Sequence, residues 1–295
     1  MHAGVIYAAL AFVCWGLFPL YFRQLAQVPA LEIIMHRTLW SMVFVALLLV
    51  WRRRWDWLAQ LRAQPRMIGV FALSALLLSG NWLIYVWAVN HGHVVDASLG
   101  YFIQPLLNVA LGTLFLHERP RPWQWAAVAV AAAGVAWLTW QAGQLPWIGL
   151  SLALTFGVYG LMRKVAVLGA LEGLALETAL LTPLALALLA WWGWQGEAAW
   201  THADLPTWLW LLAAGPFTAI PLLLFAAGAR RITLTTLGVL QYIGPSLQFM
   251  IGVWLLGEAF DRGRMIGFGL IWLALVLFTL EGAWRQRRVF RLNEK

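Results

Sequence analysis

Ten runs of about 20 nearly uninterrupted apolar residues follow one another along this chain, and they leave little choice of fold. They lie at 3–22, 30–51, 67–90, 95–117, 121–140, 146–165, 171–192, 206–228, 233–256 and 264–284. About 20 helical residues cross a hydrocarbon core of about 30 Å, and only helices and closed barrels satisfy their backbone polar groups there. Barrel strands would read as alternating segments of about ten residues, whereas these runs are continuously apolar and far longer. The expected fold is therefore an all-α membrane protein with ten transmembrane helices. Charged residues make up only 11% of the 295 and hydrophobic ones 62%, with mean hydropathy +0.76, too little polar surface to clothe a water-soluble globule. The connections are too short for a soluble domain, so any site has to be built from the helices.

A net charge of +8 is also what a nucleic-acid binder carries, but its distribution points elsewhere. If the N-terminus is cytoplasmic, every Lys and Arg except Arg23, Arg262, Arg264 and the intramembrane Arg37 falls in an inside loop or the C-terminal tail. The positive-inside rule then puts both termini in the cytoplasm. The basic residues read as a topology signal and as contacts for anionic lipid heads, with no nucleic-acid partner. No basic segment precedes the first run and no small-residue cleavage site follows it, so a removable signal peptide is not expected. Cys14, the single cysteine, reads as a small buried residue and allows no internal disulfide.

The two halves of the chain repeat one another. Leu99–Glu118 and Leu237–Glu258 both open with Leu-Gly, carry a proline inside an apolar run, set an amide three residues beyond it and end in glutamate. Pro105, Asn108, Gly112 and Glu118 return 140 residues later as Pro245, Gln248, Gly252 and Glu258; Ala30-Leu31-Glu32 returns as Ala170-Leu171-Glu172, and Arg37 falls opposite Glu177. Five helices per half is an odd number, so the units 1–141 and 142–295 are expected to lie upside down relative to each other. Inverted repeats of this kind build secondary transporters, with the substrate site near the midplane between the halves.

The chain resembles the RarD-type proteins of the EamA family, within the drug/metabolite transporter superfamily. The resemblance is carried by Trp15-Gly16, by Val28-Pro29-Ala30 through Glu32 to His36-Arg37, and by Gly80-Asn81-Trp82-Leu83. Further on it is carried by Trp87-Ala88-Val89-Asn90, Ala97 through Ile103, Tyr159-Gly160-Leu161 with Arg163-Lys164, and Gln241-Tyr242-Ile243-Gly244-Pro245. It implies a ten-helix carrier of the bacterial inner membrane, of the kind labelled chloramphenicol-sensitivity proteins or permeases, and it implies the class without naming the cargo.

Several polar residues inside the runs are candidates for the work. Pro105 and Pro245 free the carbonyls of Tyr101 and Gln241, which marks the interior of the bundle and, with Gly244, candidate gating hinges. Tyr101, Gln104 and Asn108 share one helical face, and Gln241, Gly244 and Gln248 repeat that spacing. With Tyr242 they read either as a cavity lining or as interhelical hydrogen bonding. Arg37, about two turns deep, either binds an anionic substrate group with its planar fork or snorkels to the outer interface. Glu177, its mirror, is a candidate proton-coupling site, and His36 one turn beyond Glu32 offers a protonatable pair with that carboxylate. Glu32 and Glu172 otherwise read as helix-dipole partners. Glu118 and Glu258, beside Arg119 and Arg262, read as gate or interface ion pairs. Trp82, Trp87, Trp147, Trp192, Trp194 and Trp200 fit an outer aromatic belt by depth; Trp15 and Trp82 are alternatively candidates, with Asn81, for the substrate wall. His91, His93 and Asp96 lack a fourth ligand and make a weak case for zinc, so no metal is expected.

The function these features favour is a secondary carrier for a small hydrophobic or amphiphilic metabolite or drug, exporting it by alternating access. Uptake, or proton-coupled exchange of a small organic acid or amino acid, is the alternative. An intramembrane lipid enzyme would need a nucleophile–base pair or a metal triad that the sequence does not supply. A nucleotide motif GxxxxGK[ST] is missing as well, so neither ATP nor any other cofactor is expected. The partners are a small-molecule substrate and membrane lipids; the oligomeric state is not fixed by the sequence, and a monomer is favoured.

Overall fold

The computed structural model describes residues 2–53, 55–91, 93–143, 147–255 and 262–293. Within them the secondary structure is helical throughout. In order come α1 (His2–Gly16), α2 (Phe18–Arg23), α3 (Ala30–Arg52), α4 (Asp56–Ala63), α5 (Arg66–Asn90), α6 (Val94–Phe115) and α7 (Pro122–Ala142). The second half supplies α8 (Trp147–Val165), α9 (Ala170–Gln195), a 3-10 turn (Ala199–Thr201) and α10 (Leu205–Ala229), then α11 (Leu234–Gln241), α12 (Ile243–Met250), a π-turn (Ile251–Leu255) and α13 (Arg262–Asn293).

Six stretches among the described residues are long and apolar enough to cross a membrane: Ala3–Arg23, Ala30–Arg52, Arg66–Ala88, Trp147–Val165, Ala170–Gln195 and Leu205–Ala229. Leu99–Phe115 and Met265–Glu281 are shorter apolar helices. Their outward faces carry large apolar side chains, among them Leu47, Leu76, Leu184 and Leu280, and tryptophans such as Trp51, Trp140 and Trp194. In water such a surface would be unsupportable; against acyl chains it is what a bundle needs.

Helix boundaries follow from local chemistry. Pro19 falls in the first turn of α2, where its missing N–H costs nothing. Asp204 caps α10 by accepting from the Thr207 amide at 3.0 Å, and Thr233 caps α11 by accepting from Thr236 at 3.1 Å. Gly143 and Gly196 close α7 and α9 with φ of 72° and 73°, the left-handed region where a glycine carries no steric cost.

Two expectations are corrected. The run at 233–256 is not one helix: α11 stops at Gln241, α12 restarts after Tyr242, and the chain then widens into the π-turn. Pro245 cannot donate to the carbonyl of Gln241, and its neighbour Gly244 weakens the helix further. Pro105, flanked by Gln104 and Leu106, leaves α6 continuous. The stretch before α5 also holds the short α4, which has no buried residue.

The packing is interleaved between the halves. The principal partners of α1 are α10, α11 and α12; those of α8 are α6 and α5; α3 packs on both α10 and α9; α7 packs along α13. Backbones approach closely where glycines permit it. A Cβ on Gly215 would come within 2.8 Å of the Trp40 backbone and side chain, and one on Gly238 would lie 2.6 Å from the carbonyl oxygen of Pro105. The main core gathers Phe12, Leu78, Tyr159, Leu174, Leu222, Phe225 and Leu237 from both halves.

Candidate functional site

The polar side chains buried in this core sort into three groups. The first surrounds Arg37 on α3, 8% exposed and therefore not snorkelled to an interface. Its Nε donates to the Thr218 hydroxyl of α10 at 2.9 Å. Trp82 of α5 lies over the guanidinium at 4.4 Å, and Phe18 and Phe22 of α2 are each 5.6 Å away, so aromatic faces replace hydration around the charge. Among the described residues no carboxylate pairs with it. Tyr21, Tyr85 and Tyr101 lie within electrostatic reach of the charge, and the rings of Tyr85 and Tyr101 meet edge to face at 6.1 Å. The Tyr21 hydroxyl is spent on the Trp210 carbonyl.

The second group holds a residue that sequence reading put in the wrong place. Arg163, counted among the inner-loop charges, is 1% exposed and pairs with Glu177 at 3.6 Å. Ser74 of α5 donates to Glu177 Oε1 at 2.5 Å, and Arg163 Nη2 donates to the Ala170 carbonyl at 3.0 Å. Glu177 Oε2, the Tyr159 hydroxyl and Arg163 Nε and Nη1 are buried without a hydrogen bond. The long arginine side chain folds back from the last turn of α8 to reach α9. An intramembrane carboxylate in need of a partner was the signal that could have found it.

A narrow cavity joins these groups, with about 10 Å³ of room for the centre of a water molecule. Thr38 and Ser41 of α3, Leu78 and Trp82 of α5, Leu174, Glu177, Thr178 and Leu181 of α9, and Thr218 and Leu222 of α10 line it. Thr218 holds Arg37 on one side and Glu177 closes the other.

The third group is interhelical. Asn108 donates to Gln241 Oε1 at 2.9 Å, Gln248 to the Trp15 carbonyl at 3.1 Å, Asn81 to the Leu152 carbonyl at 2.8 Å, and Tyr242 to the Phe102 carbonyl at 3.2 Å. Asn108, Gln241, Gln248 and Tyr242 of the expected polar face thus bond between helices in this conformation, as does Asn81, a candidate for the substrate wall. Gln104, 3% exposed, leaves its Nε2 without a partner. Trp15 packs in an aromatic block with Phe12, Phe156 and Phe225.

The remaining candidates have other employment. Glu32 does not pair with His36: its oxygens accept from the amides of Ala199 and Trp200 at 3.0 and 2.8 Å, while His36 Nδ1 accepts from Trp40 at 3.2 Å. Glu118 turns from Arg119 to the N-terminus of α11, accepting from Leu234 and Thr235 amides at 2.7 and 3.0 Å, with Lys164 at 4.0 Å. Lys164 in turn donates to the carbonyls of Ala229 and Ile232. Glu258 and the side chain of Asp96 lie outside the described residues; His91 and His93 stack on Trp87, and no cluster with metal-binding composition occurs among the described residues.

Comparison with known proteins supplies the context. The model of the EamA-like transporter family matches residues 2–140. An uncharacterized transporter of Pseudomonas aeruginosa is 48% identical over 98% of this chain and 96% of its own length. Protein RarD of Escherichia coli is 43% identical over 97% and 96%, and the chloramphenicol-sensitive protein RarD of Pseudomonas aeruginosa 34% identical over 98% and 97%. A solved crystal structure superposes with a TM-score of 0.70 over 94% of this chain and 97% of the other at 21% identity, which is a likeness of fold.

Proposed function

Because the chain belongs to the EamA-like transporter family, alongside the RarD proteins, we propose that it is a secondary carrier exporting a small hydrophobic or amphiphilic metabolite or drug across the bacterial inner membrane. The observation that carries this reading is the cavity between α3, α5, α9 and α10, which draws its walls from both halves of the chain. Ten spans with both termini cytoplasmic, arranged as inverted five-helix units 1–141 and 142–295, complete the proposal.

The packing pattern supports that arrangement. Exchanging each helix for its counterpart in the other half turns the α1–α10 contact into α8–α5, the α1–α11/α12 contact into α8–α6, and α3–α10 into α9–α5, all of which occur. Two bodies related in this way can rock about a shared cavity and open it to either side in turn. The broken helix at Tyr242, Gly244 and Pro245 is a natural hinge, and Pro105 is its counterpart. Glu118 and Lys164, which clasp the α10–α11 turn, are placed to hold one end closed.

The test is flux into reconstituted vesicles. The panel contains chloramphenicol, chosen from the name of a relative, and planar aromatic solutes, neutral and anionic. A carrier gives saturable counterflow of at least one of them, and Leu222→Trp, which fills the cavity, lowers it at least tenfold. Uptake equal to protein-free vesicles for every solute and gradient would overturn the proposal and leave a receptor or structural protein.

A further inference from the structure

We infer that the cleft binds a planar, apolar monocarboxylate, with its carboxylate on the in-plane edge of Arg37 and its body toward the leucines of the cavity. The inference rests on the carrier cleft proposed above and names what that cleft takes.

Arg37 is 92% buried and commits only Nε, to Thr218. The four N–H of Nη1 and Nη2 meet no protein acceptor among the described residues. Among the described residues the hydroxyls of Tyr85 and Tyr101, both near this charge, donate to no protein group either. On the Tyr101 face of α6, one turn along, Gln104 Nε2 is buried and unpartnered. A buried cation without a counterion is costly, and so is each buried donor left unbonded. Here an unpaired cation and one buried, unbonded donor, Gln104 Nε2, occur together, and no acceptor among the described residues answers them.

Geometry narrows the class of the missing partner. Trp82 covers a face of the guanidinium and Thr218 occupies its Nε edge. The edge formed by Nη1 and Nη2 remains, and it presents the parallel fork that a carboxylate accepts bidentately. The site carries one formal charge. The next buried cation, Arg163, is neutralised by Glu177, so a phosphate dianion would go half-compensated where a monocarboxylate would not. Beyond Trp82 and Thr218 the walls are Leu78, Leu174, Leu181 and Leu222, with the hydroxyls of Thr38, Ser41 and Thr178 and with Glu177, which Arg163 neutralises; they reward a largely apolar body and offer no second free cation. The room present is that of about one water, so binding requires the halves to separate.

Calorimetry on the full chain in lipid nanodiscs tests this with three probes of one shape: phenylacetate, phenylacetamide and phenethylamine. Phenylacetate should bind at least tenfold tighter than the amide, and the amine should not compete with it. Arg37→Gln should abolish the preference for acid over amide. If that variant does not fold, Tyr85→Phe with Tyr101→Phe, which removes two hydroxyls and no charge, should weaken phenylacetate several-fold and leave the amide unchanged. Equal binding of acid and amide, no binding of the acid, a preference that survives Arg37→Gln, or displacement of phenylacetate by equimolar inorganic phosphate would each overturn the inference. Flux separates it from the carrier proposal. Counterflow without acid preference removes the anion site and leaves the carrier; acid-selective binding without flux of any solute keeps the site and removes the carrier.

Discussion

Replacing Arg163 by methionine should be among the most damaging single changes available in this bundle, and the reason is its partner. Glu177 and Arg163 are each 1% exposed, 3.6 Å apart. Without the guanidinium, Glu177 keeps one hydrogen bond, from Ser74, and a carboxylate stranded in the interior costs about 3–5 kcal/mol. Glu177→Gln should cost less, because Arg163 retains the carbonyl of Ala170 at 3.0 Å and the ring of Phe71 at 5.6 Å. The double variant Arg163→Met/Glu177→Leu removes both charges and should recover most of the loss, since well-packed apolar substitutes for a buried pair are often neutral or better. Reversible unfolding in mixed micelles, run as a double-mutant cycle, should therefore give a coupling of about 2 kcal/mol or more. Costs that add to within about 0.5 kcal/mol, or an Arg163→Met variant destabilised by less than about 1 kcal/mol, would refute the reasoning.

Gly238→Ala places a methyl 2.6 Å from the Pro105 carbonyl and 3.1 Å from Asn108 Cβ, and should destabilise by about 1–3 kcal/mol through overpacking. Gly80→Ala on α5, with nothing within 4 Å, should gain about 0.5–1 kcal/mol in the same unfolding assay because alanine suits a helix better. At the exposed end of α10, the Thr207 hydroxyl and then its amide hold the Asp204 carboxyl below its ordinary 3.8. A depressed folded value stabilises above that pH and is lost as the pH falls below it, so exchange protection of the Thr207 amide should fade in acid, and Asp204→Asn should remove that pH dependence.

The elements that sequence displayed well are those decided by local chemistry. An apolar run of about 20 residues forms a helix whatever its neighbours, so α3, α5, α9 and α10 fall within a few residues of expectation. Pro245 and Pro105 looked equivalent, yet one accompanies a break and the other a continuous helix. The difference lies in the glycine beside Pro245, a signal present in the sequence. What stayed hidden depends on contacts across more than a hundred residues. Nothing near Glu118 announces that its acceptors will be claimed by the amides of Leu234 and Thr235, nor does anything near Glu32 point to Ala199 and Trp200. Charge-counting misplaced Arg163 because a long side chain at a helix end can turn inward as readily as outward. Arg37 was visible as a charge in an apolar run; its aromatic cage required α2 and α5 to be brought to α3.

The interleaving of α1 among α10, α11 and α12 has a consequence for biosynthesis. α1 leaves the ribosome well before its principal neighbours, segments that begin at Leu205 and beyond. At about 5–20 residues per second, it waits on the order of ten to forty seconds in the bilayer before they emerge. During that interval Phe12 and Trp15 face lipid or the insertion machinery in place of Phe225. Assembly of this chain is thus completed after insertion, and α1 waits through the synthesis of some of the most distant segments before its partners exist.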